Sequence, residues 1–312
     1  MPLTIRELRR LLAPVPGLVA ASVVPAASHG REVEACITPA TLIEPGPVTA
    51  RAVGAPEIWP GPVAFLDGTQ RFEVAAYVGT SPLMLAEVAG AVRERTGRDT
   101  RTVAVERRAF AIGRREVLAA LGGALAGIEL VALPEDTPGH PLRDIEAARH
   151  EVDRARGEVE RIVGDRYRRE APGRWLVVDG SLAESPAWAL DPRMVGVSKS
   201  HSTLPFDGDD LVTYLQLPAG HRSSIFQPAS RRHAPVYAWG FRLWPWAGRD
   251  LFYGLVRIEV AARRESLAAA DAICRWLLAE RAPISAPDGR WDRLLYGIRS
   301  VEEYLRAVRG ER

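Results

Sequence analysis

The chain contains no asparagine and only one lysine, Lys199 in "VGVSKSHS"; the other 40 of its 41 basic residues are arginine. Hyperthermophile proteins tend to be rich in lysine, so a GC-rich coding bias accounts better for this composition. Under that bias an exposed lysine drifts to arginine at little cost. A lone survivor therefore marks a place where a planar guanidinium does not replace a compact ammonium. Cysteine is almost missing as well. Cys36 and Cys274 are far apart and form no metal-type spacing, so a reduced, cytoplasmic protein is expected. No apolar run approaches the roughly 18 residues that cross a bilayer, and "MPLTIRELRRLLAP" reads as an amphipathic helix rather than a signal peptide. The six histidines show no HxxxH or HxH ligand spacing. There is no Walker A loop, no GxSxG and no Gly-rich dinucleotide fingerprint, which argues against an ATPase, a serine hydrolase and a dinucleotide enzyme.

What is present is 312 residues with 47% hydrophobic content and a net charge of +2, enough for one large core or two modest ones. The charge is compatible with nucleic acid without requiring it, since a focused basic patch matters more than the total. Residues 1–60 read as an accessory segment: a helix from Ile5 to Leu12, then extended pieces punctuated by proline. From Val63 the pattern becomes that of a folded domain, 61–312. Val63 to Leu66 is a buried strand, Gly68 is expected to turn the chain, and Arg71 to Val78 is a second strand completing a hairpin. Leu83 to Arg93 is read as a strand and Arg114 to Ala126 as a helix. Pro141 to about Arg169 is the clearest helix, with Ile145, Ala148, Val152, Ala155, Val159 and Ile162 forming one apolar stripe. Strands follow in "WLVV", "MVGVSKS", "PVYAWGFRLWP" and "LFYGLVRIEV", the last two as a hairpin. Two helices close the chain.

Two strands end in Asp-Gly: "FLDGT" with Asp67 and "VVDGS" with Asp179. In an α/β sheet the carboxyl ends of adjacent strands converge on one crevice. Two carboxylates meeting there repel, and a hard divalent cation resolves the repulsion while gaining oxygen ligands. Such a cation activates water and stabilises the leaving oxygen of a phosphodiester. Glu160, beside the apolar stripe of the long helix, is the best-placed third carboxylate. Gly157 nearby lets that helix approach the sheet closely. Glu259, an acid inside an apolar strand, is either paired with an arginine or a reserve ligand. Arg222, Arg231 and Arg232 in "HRSSIFQPASRRHAP" form a candidate phosphate-contacting loop.

The order of these motifs is that of a ribonuclease-H-like metal nuclease: an α/β mixed sheet flanked by helices, here with an N-terminal extension. More specifically, "FLDGTQ", "WLVVDGSL" and "MVGVSKS" resemble the signature motifs of the NurA nuclease family over roughly residues 61–312. The resemblance implies a manganese-dependent (or magnesium-dependent) DNA end-processing nuclease acting in double-strand break repair. It also implies a homodimer partnered by a hexameric HerA-type ATPase that moves the DNA. It carries Asp67, Asp179 and Glu160 over as metal ligands. Lys199 carries over as the signature lysine, a point charge for the scissile phosphate. Two positions depart from the family. Tyr296-Gly297 stands where the family has Tyr-Pro, and the following helix lacks the family histidine; Glu302 or Glu303 is a substitute oxygen ligand, with Glu303 carried forward as the candidate. The family tyrosine on a late strand matches Tyr237 or Tyr253. The missing histidine motivates an alternative: a catalytically weak relative that guides DNA and regulates the ATPase.

Overall fold

The computed structural model describes residues 4–15, 19–20, 36–97, 99–125, 127–134, 139–229, 234–247, 249–281 and 295–308. Thr4 and Glu7 form a reciprocal cap, Thr4 N donating to Glu7 Oε2 at 2.8 Å and Glu7 N to Thr4 Oγ1 at 3.3 Å, which starts helix α1 (Ile5–Leu12). Strands β1 (Val63–Val78), β2 (Ser81–Thr96) and β3 (Asp99–Gly113) then form a long antiparallel meander. A short helix, α2 (Arg115–Ala120), and strand β4 (Glu129–Ala132) lead to α3 (Pro141–Glu170). After it come β5 (Trp175–Asp179), α4 (Pro186–Leu190), β6 (Met194–Ser198) and α5 (Gly208–Leu215). The hairpin β7 (Val236–Arg242) and β8 (Leu255–Ala261) and helices α6 (Arg264–Glu280) and α7 (Tyr296–Val308) complete the chain.

All eight strands join one sheet in the order β7-β8-β6-β5-β1-β2-β3-β4. At its centre β1 runs parallel to β5 and β5 parallel to β6, while β2 and β8 are antiparallel to their neighbours. This is the ribonuclease-H-like mixed sheet that the motif order implied. Strand alternation divides the core into two layers. Val63, Phe65, Val177 and Val195 face α6 and α7, packing with Ile273, Leu277, Ile298 and Val301. Ala64, Leu66, Leu176 and Val178 face the other way, against Val163 and Tyr167 of α3. Two-residue strands at Thr41–Leu42 and Arg51–Ala52 pair with Phe226–Gln227 and His221–Arg222, so these two pieces of the N-terminal segment join the same sheet, whereas Cys36–Ile37 pairs with Thr203–Leu204 in a separate two-stranded one.

Three expectations need correction. The chain does not turn at Gly68: β1 continues for ten more residues because β2 pairs with it along its whole length, Gly68 opposite Gly90, and the turn comes at Gly79 with φ +58°. The helix expected over 114–126 is a six-residue α-helix followed by a 3₁₀ turn at Gly122–Leu125. The apolar stripe of α3 leaves Ile162 exposed and continues instead through Val163 and Tyr167, which keep the spacing of four from Val159.

Helix α7 reaches the sheet through Gly297, where a side chain would run into the Phe65 ring. Gly297→Ala is therefore expected to cost about 1–3 kcal/mol through overpacking, read as a lowered midpoint in urea with an unchanged slope; an unchanged midpoint would show that α7 has room to shift.

Candidate active site

In the parallel register Leu66 is level with Val178, so Asp67 is level with Asp179, and Asp179 is in turn level with Val197 of β6. Strand β5 stops at Asp179, where Gly180 takes φ +142° and directs the chain away. Strand β1 does not stop, and its carboxylate is left facing the crevice that the end of β5 opens. Alternation puts Asp67 and Asp179 on the same face as Phe65 and Val177. Lys199 is the first residue beyond β6, and its Nζ donates to Asp179 Oδ2 at 2.8 Å. The sole lysine of the chain thus serves the sequence-selected aspartate pair.

Asp67 is 8% exposed and accepts a hydrogen bond from Gly68 N at 2.7 Å. Burial pushes its carboxyl well above the usual range, and the charge of Asp179 pushes it further; Lys199 opposes the shift and Glu160 adds to it. Glu160 comes from α3, on the sheet face opposite to Asp67, near enough for its charge to act on Asp67. Its carboxylate lies over Gly68, in the space a side chain there would occupy, and its backbone passes 3.3 Å from where Gly90 would carry a Cβ. The cross-strand pair Gly68–Gly90 is thus a bare patch on which the helix settles, and this explains both glycines better than a turn does. Burial, with the charges of Asp179 and Glu184, raises the Glu160 carboxyl to about 7, against the pull of Arg156.

The loop behind Asp179 is braced from below. Glu259 of β8 is 2% exposed; it accepts from Ser181 Oγ at 2.6 Å and Leu182 N at 2.9 Å, and Arg257 Nε donates to it at 3.0 Å. Gly196 gives the same loop its room, since a Cβ there would lie 2.8 Å from the Gly180 carbonyl. Of the two readings of Glu259, the arginine-paired one holds, with loop support added. Sequence reasoning missed Glu184 and the glycine patch.

Other candidates lie elsewhere. Glu303, its side chain 61% exposed, pairs with Arg299 one turn away on α7, and no contact joins it to the aspartates. Glu302 pairs with Arg306. Arg222 is 4% exposed and is spent on Glu44 and Asp271, joining the N-terminal segment to α6. A guanidinium so enclosed is a structural tie and not a phosphate contact, which corrects that expectation. Arg231 and Arg232 lie outside the described residues. Tyr237 packs at the margin of the core, and Tyr253 stacks under Arg249. His201 stacks on Phe252 and hydrogen-bonds the Leu255 carbonyl at 3.0 Å.

Among the described residues no three acidic, imidazole or thiol groups close into one ligand cluster. The donor chemistry nonetheless fits a hard cation: two aspartates side by side and a glutamate across the strand, all oxygen donors, with Lys199 bonded to only one of them. Comparison with known proteins places the architecture. The NurA nuclease from Sulfolobus solfataricus is superposable with a TM-score of 0.50, over 82% of this chain and 81% of that one, at 9% identity. The fold is that of a NurA nuclease. Two structures of human endonuclease V also match, at 14% identity (80% of this chain and 84% of that one) and 16% (98% and 95%), but their TM-scores of 0.33 and 0.34 are too low to add weight. No family model and no curated protein matches the sequence. Within the NurA fold, the motif residues Asp67, Asp179 and Lys199 are neighbours here by geometry alone.

The raised Glu160 carboxyl has a stability consequence. The group holds its proton to about pH 7 when folded and to about 4.5 when unfolded, so stability falls as pH rises through that window. In EDTA, Glu160→Gln is expected to be more stable than the parent at pH 8 by roughly 2–3 kcal/mol, and the two should converge below about pH 4.5. Equal denaturation midpoints at both pH values would contradict this electrostatic picture.

Proposed function

We propose that this protein is a metal-dependent DNA nuclease that trims DNA ends, as in double-strand break repair. The observation that carries the reading is the row formed by Asp67 and Asp179 on parallel strands, with Lys199 donating to Asp179 at 2.8 Å, in a NurA fold. Asp67 and Asp179 would hold Mn²⁺ or Mg²⁺, with Glu160 the third carboxylate at hand. A cation bound there supplies a Lewis acid and an activated water for phosphodiester hydrolysis.

The chain's own residues account for the rest. Lys199 balances Asp179 while the site is free. When a phosphodiester enters, the same ammonium is within reach of a non-bridging oxygen and meets the charge that develops there. The ammonium does this as a compact donor, whereas an arginine would bring a longer, planar fork to a space already shared with Asp179. Glu259 and Gly196 act indirectly, by fixing the loop that follows Asp179. The chain carries no nucleotide-binding motif of its own, so DNA movement falls to a partner; a hexameric ATPase of the HerA type and a homodimeric nuclease complete this reading.

A second reading rests on a specific observation. Helix α7 has no histidine, and Glu303 pairs with Arg299 instead of turning to the aspartates, as expected for a relative that guides DNA and regulates the ATPase with little cleavage of its own. Cleavage of end-labelled linear DNA in Mn²⁺, Mg²⁺ or EDTA separates the two. The nuclease reading predicts metal-dependent cleavage that Asp179→Ala and Lys199→Arg each reduce by about 10²–10³-fold, with DNA binding retained. Binding without cleavage by the unmutated protein, alone and with its ATPase, would favour the guiding subunit.

A further inference from the structure

Lys199 opens a loop, residues 199–205, that leads from the end of β6 to Phe206, which is buried against Tyr214 and Phe226. The loop reads "KSHSTLP", mostly small polar residues, and Ser200 and Thr203 are exposed, so side-chain packing of its own does little to hold it still. Three backbone bonds reach it from the N-terminal segment: Cys36 N donates to the Ser202 carbonyl at 3.0 Å, Thr38 N to that of Leu204 at 2.9 Å and Ala40 N to that of Pro205 at 2.8 Å. They run along the parallel pairing of Cys36–Ile37 with Thr203–Leu204. His201 anchors the other half of the loop through its stack on Phe252 and its bond to the Leu255 carbonyl. A carbonyl only accepts, so the bonded Nε2 carries the proton. The N-terminal segment is itself tied to the main sheet a few residues further on. Thr41–Leu42 pairs with Phe226–Gln227, Ile43 N donates to the Ile225 carbonyl at 2.9 Å, and the Glu44 carboxylate accepts from Ile225 N at 2.8 Å and from Arg222.

We propose that residues 36–44 are a strap that positions Lys199, one end fixed on the sheet and the other laid along the lysine loop. Cys36, Thr38 and Ala40 act through their backbone N–H groups, as positioning residues and not catalytic ones. Without those donors the free length of chain beyond β6 grows, and the ammonium leaves Asp179 more often. A group aimed at a reacting phosphate tolerates little displacement. The segment that reads from sequence as accessory is thereby part of the site. Its effect on turnover rests on the nuclease reading; its hold on Lys199 does not.

The test uses the fact that Lys199 is the only lysine of the chain. Its ammonium is bonded to Asp179 and its side chain is 19% exposed, so acylation by acetic anhydride must first displace that contact. The rate is read at Lys199 by peptide mapping, in EDTA and without DNA. Asp179→Ala, which removes the bonded carboxylate, sets the fast limit. Thr38→Pro deletes one strap donor and is expected to acylate about 2–10-fold faster than the parent, the shift in an open–closed equilibrium that one lost hydrogen bond produces. Thr38→Ala, which keeps the N–H, should stay with the parent. Cys36→Pro deletes the neighbouring donor and carries the test if circular dichroism shows Thr38→Pro unfolded. Proline variants at the parent's rate, a parent already as fast as Asp179→Ala, or equal acceleration by Thr38→Ala overturns the proposal. Cleavage in Mn²⁺ is scored separately, with a lowered kcat and an unchanged KM expected for Thr38→Pro. Acylation that responds in a protein that cleaves nothing keeps the strap and removes the nuclease reading, whereas cleavage with unresponsive acylation does the reverse.

Discussion

Two carboxylates held level on adjacent parallel strands repel each other, and most of the site's construction answers that repulsion. Asp67 and Asp179 sit one residue past the end of the β1–β5 ladder, and each is held by its other neighbour, Asp67 opposite Ala91 of β2 and Asp179 beside Val197 of β6. One is nearly enclosed, so water screens it poorly. A single ammonium is bonded to the pair, on one side only. Buried charge arranged this way is unfavourable in the free protein and is retained where a ligand relieves it. On the proposed function, a divalent cation and a phosphodiester would together be such a ligand, the first meeting the carboxylates and the second the lysine.

The packing of α3 follows the same logic at a larger scale. Glu160 can bring its charge close to the pair, through the sheet from its other face, only if its helix lies almost on the sheet. The cross-strand glycines Gly68 and Gly90 make that possible, and the stripe from Ile145 to Val163 holds the helix down on either side of them. Below the pair, Glu259 and Gly196 set the loop that begins at Gly180. Helix, sheet and loop thus act on one small volume. The rest of the molecule, including the arginine ties of Arg222 and of Arg114 with Asp144, keeps those three elements in register.

Legibility from the sequence followed how local each signal was. The strand before Asp179, the helix from Pro141 and the lysine after β6 were readable, because each depends on residues within a turn or two. Gly68 invites the wrong reading because Asp-Gly is a turn signal only when nothing pairs with the strand beyond it; nine residues of β2, Ser81 through Ala89, do so here. Arg222 looked like a phosphate contact because its partners, Glu44 and Asp271, are 178 and 49 residues away in the chain. The NurA resemblance, carried by three short motifs, agrees with a fold likeness at 9% identity, which shows how little of the sequence this architecture constrains.

Anomalous diffraction from crystals of the protein soaked in Mn²⁺ tests the central claim most directly. The account predicts a manganese peak bonded to the carboxylates of Asp67 and Asp179, absent from Asp67→Asn crystals treated alike. Manganese bound only elsewhere, or an Asp179 still held by Lys199 with no metal beside it at saturating concentration, would contradict it.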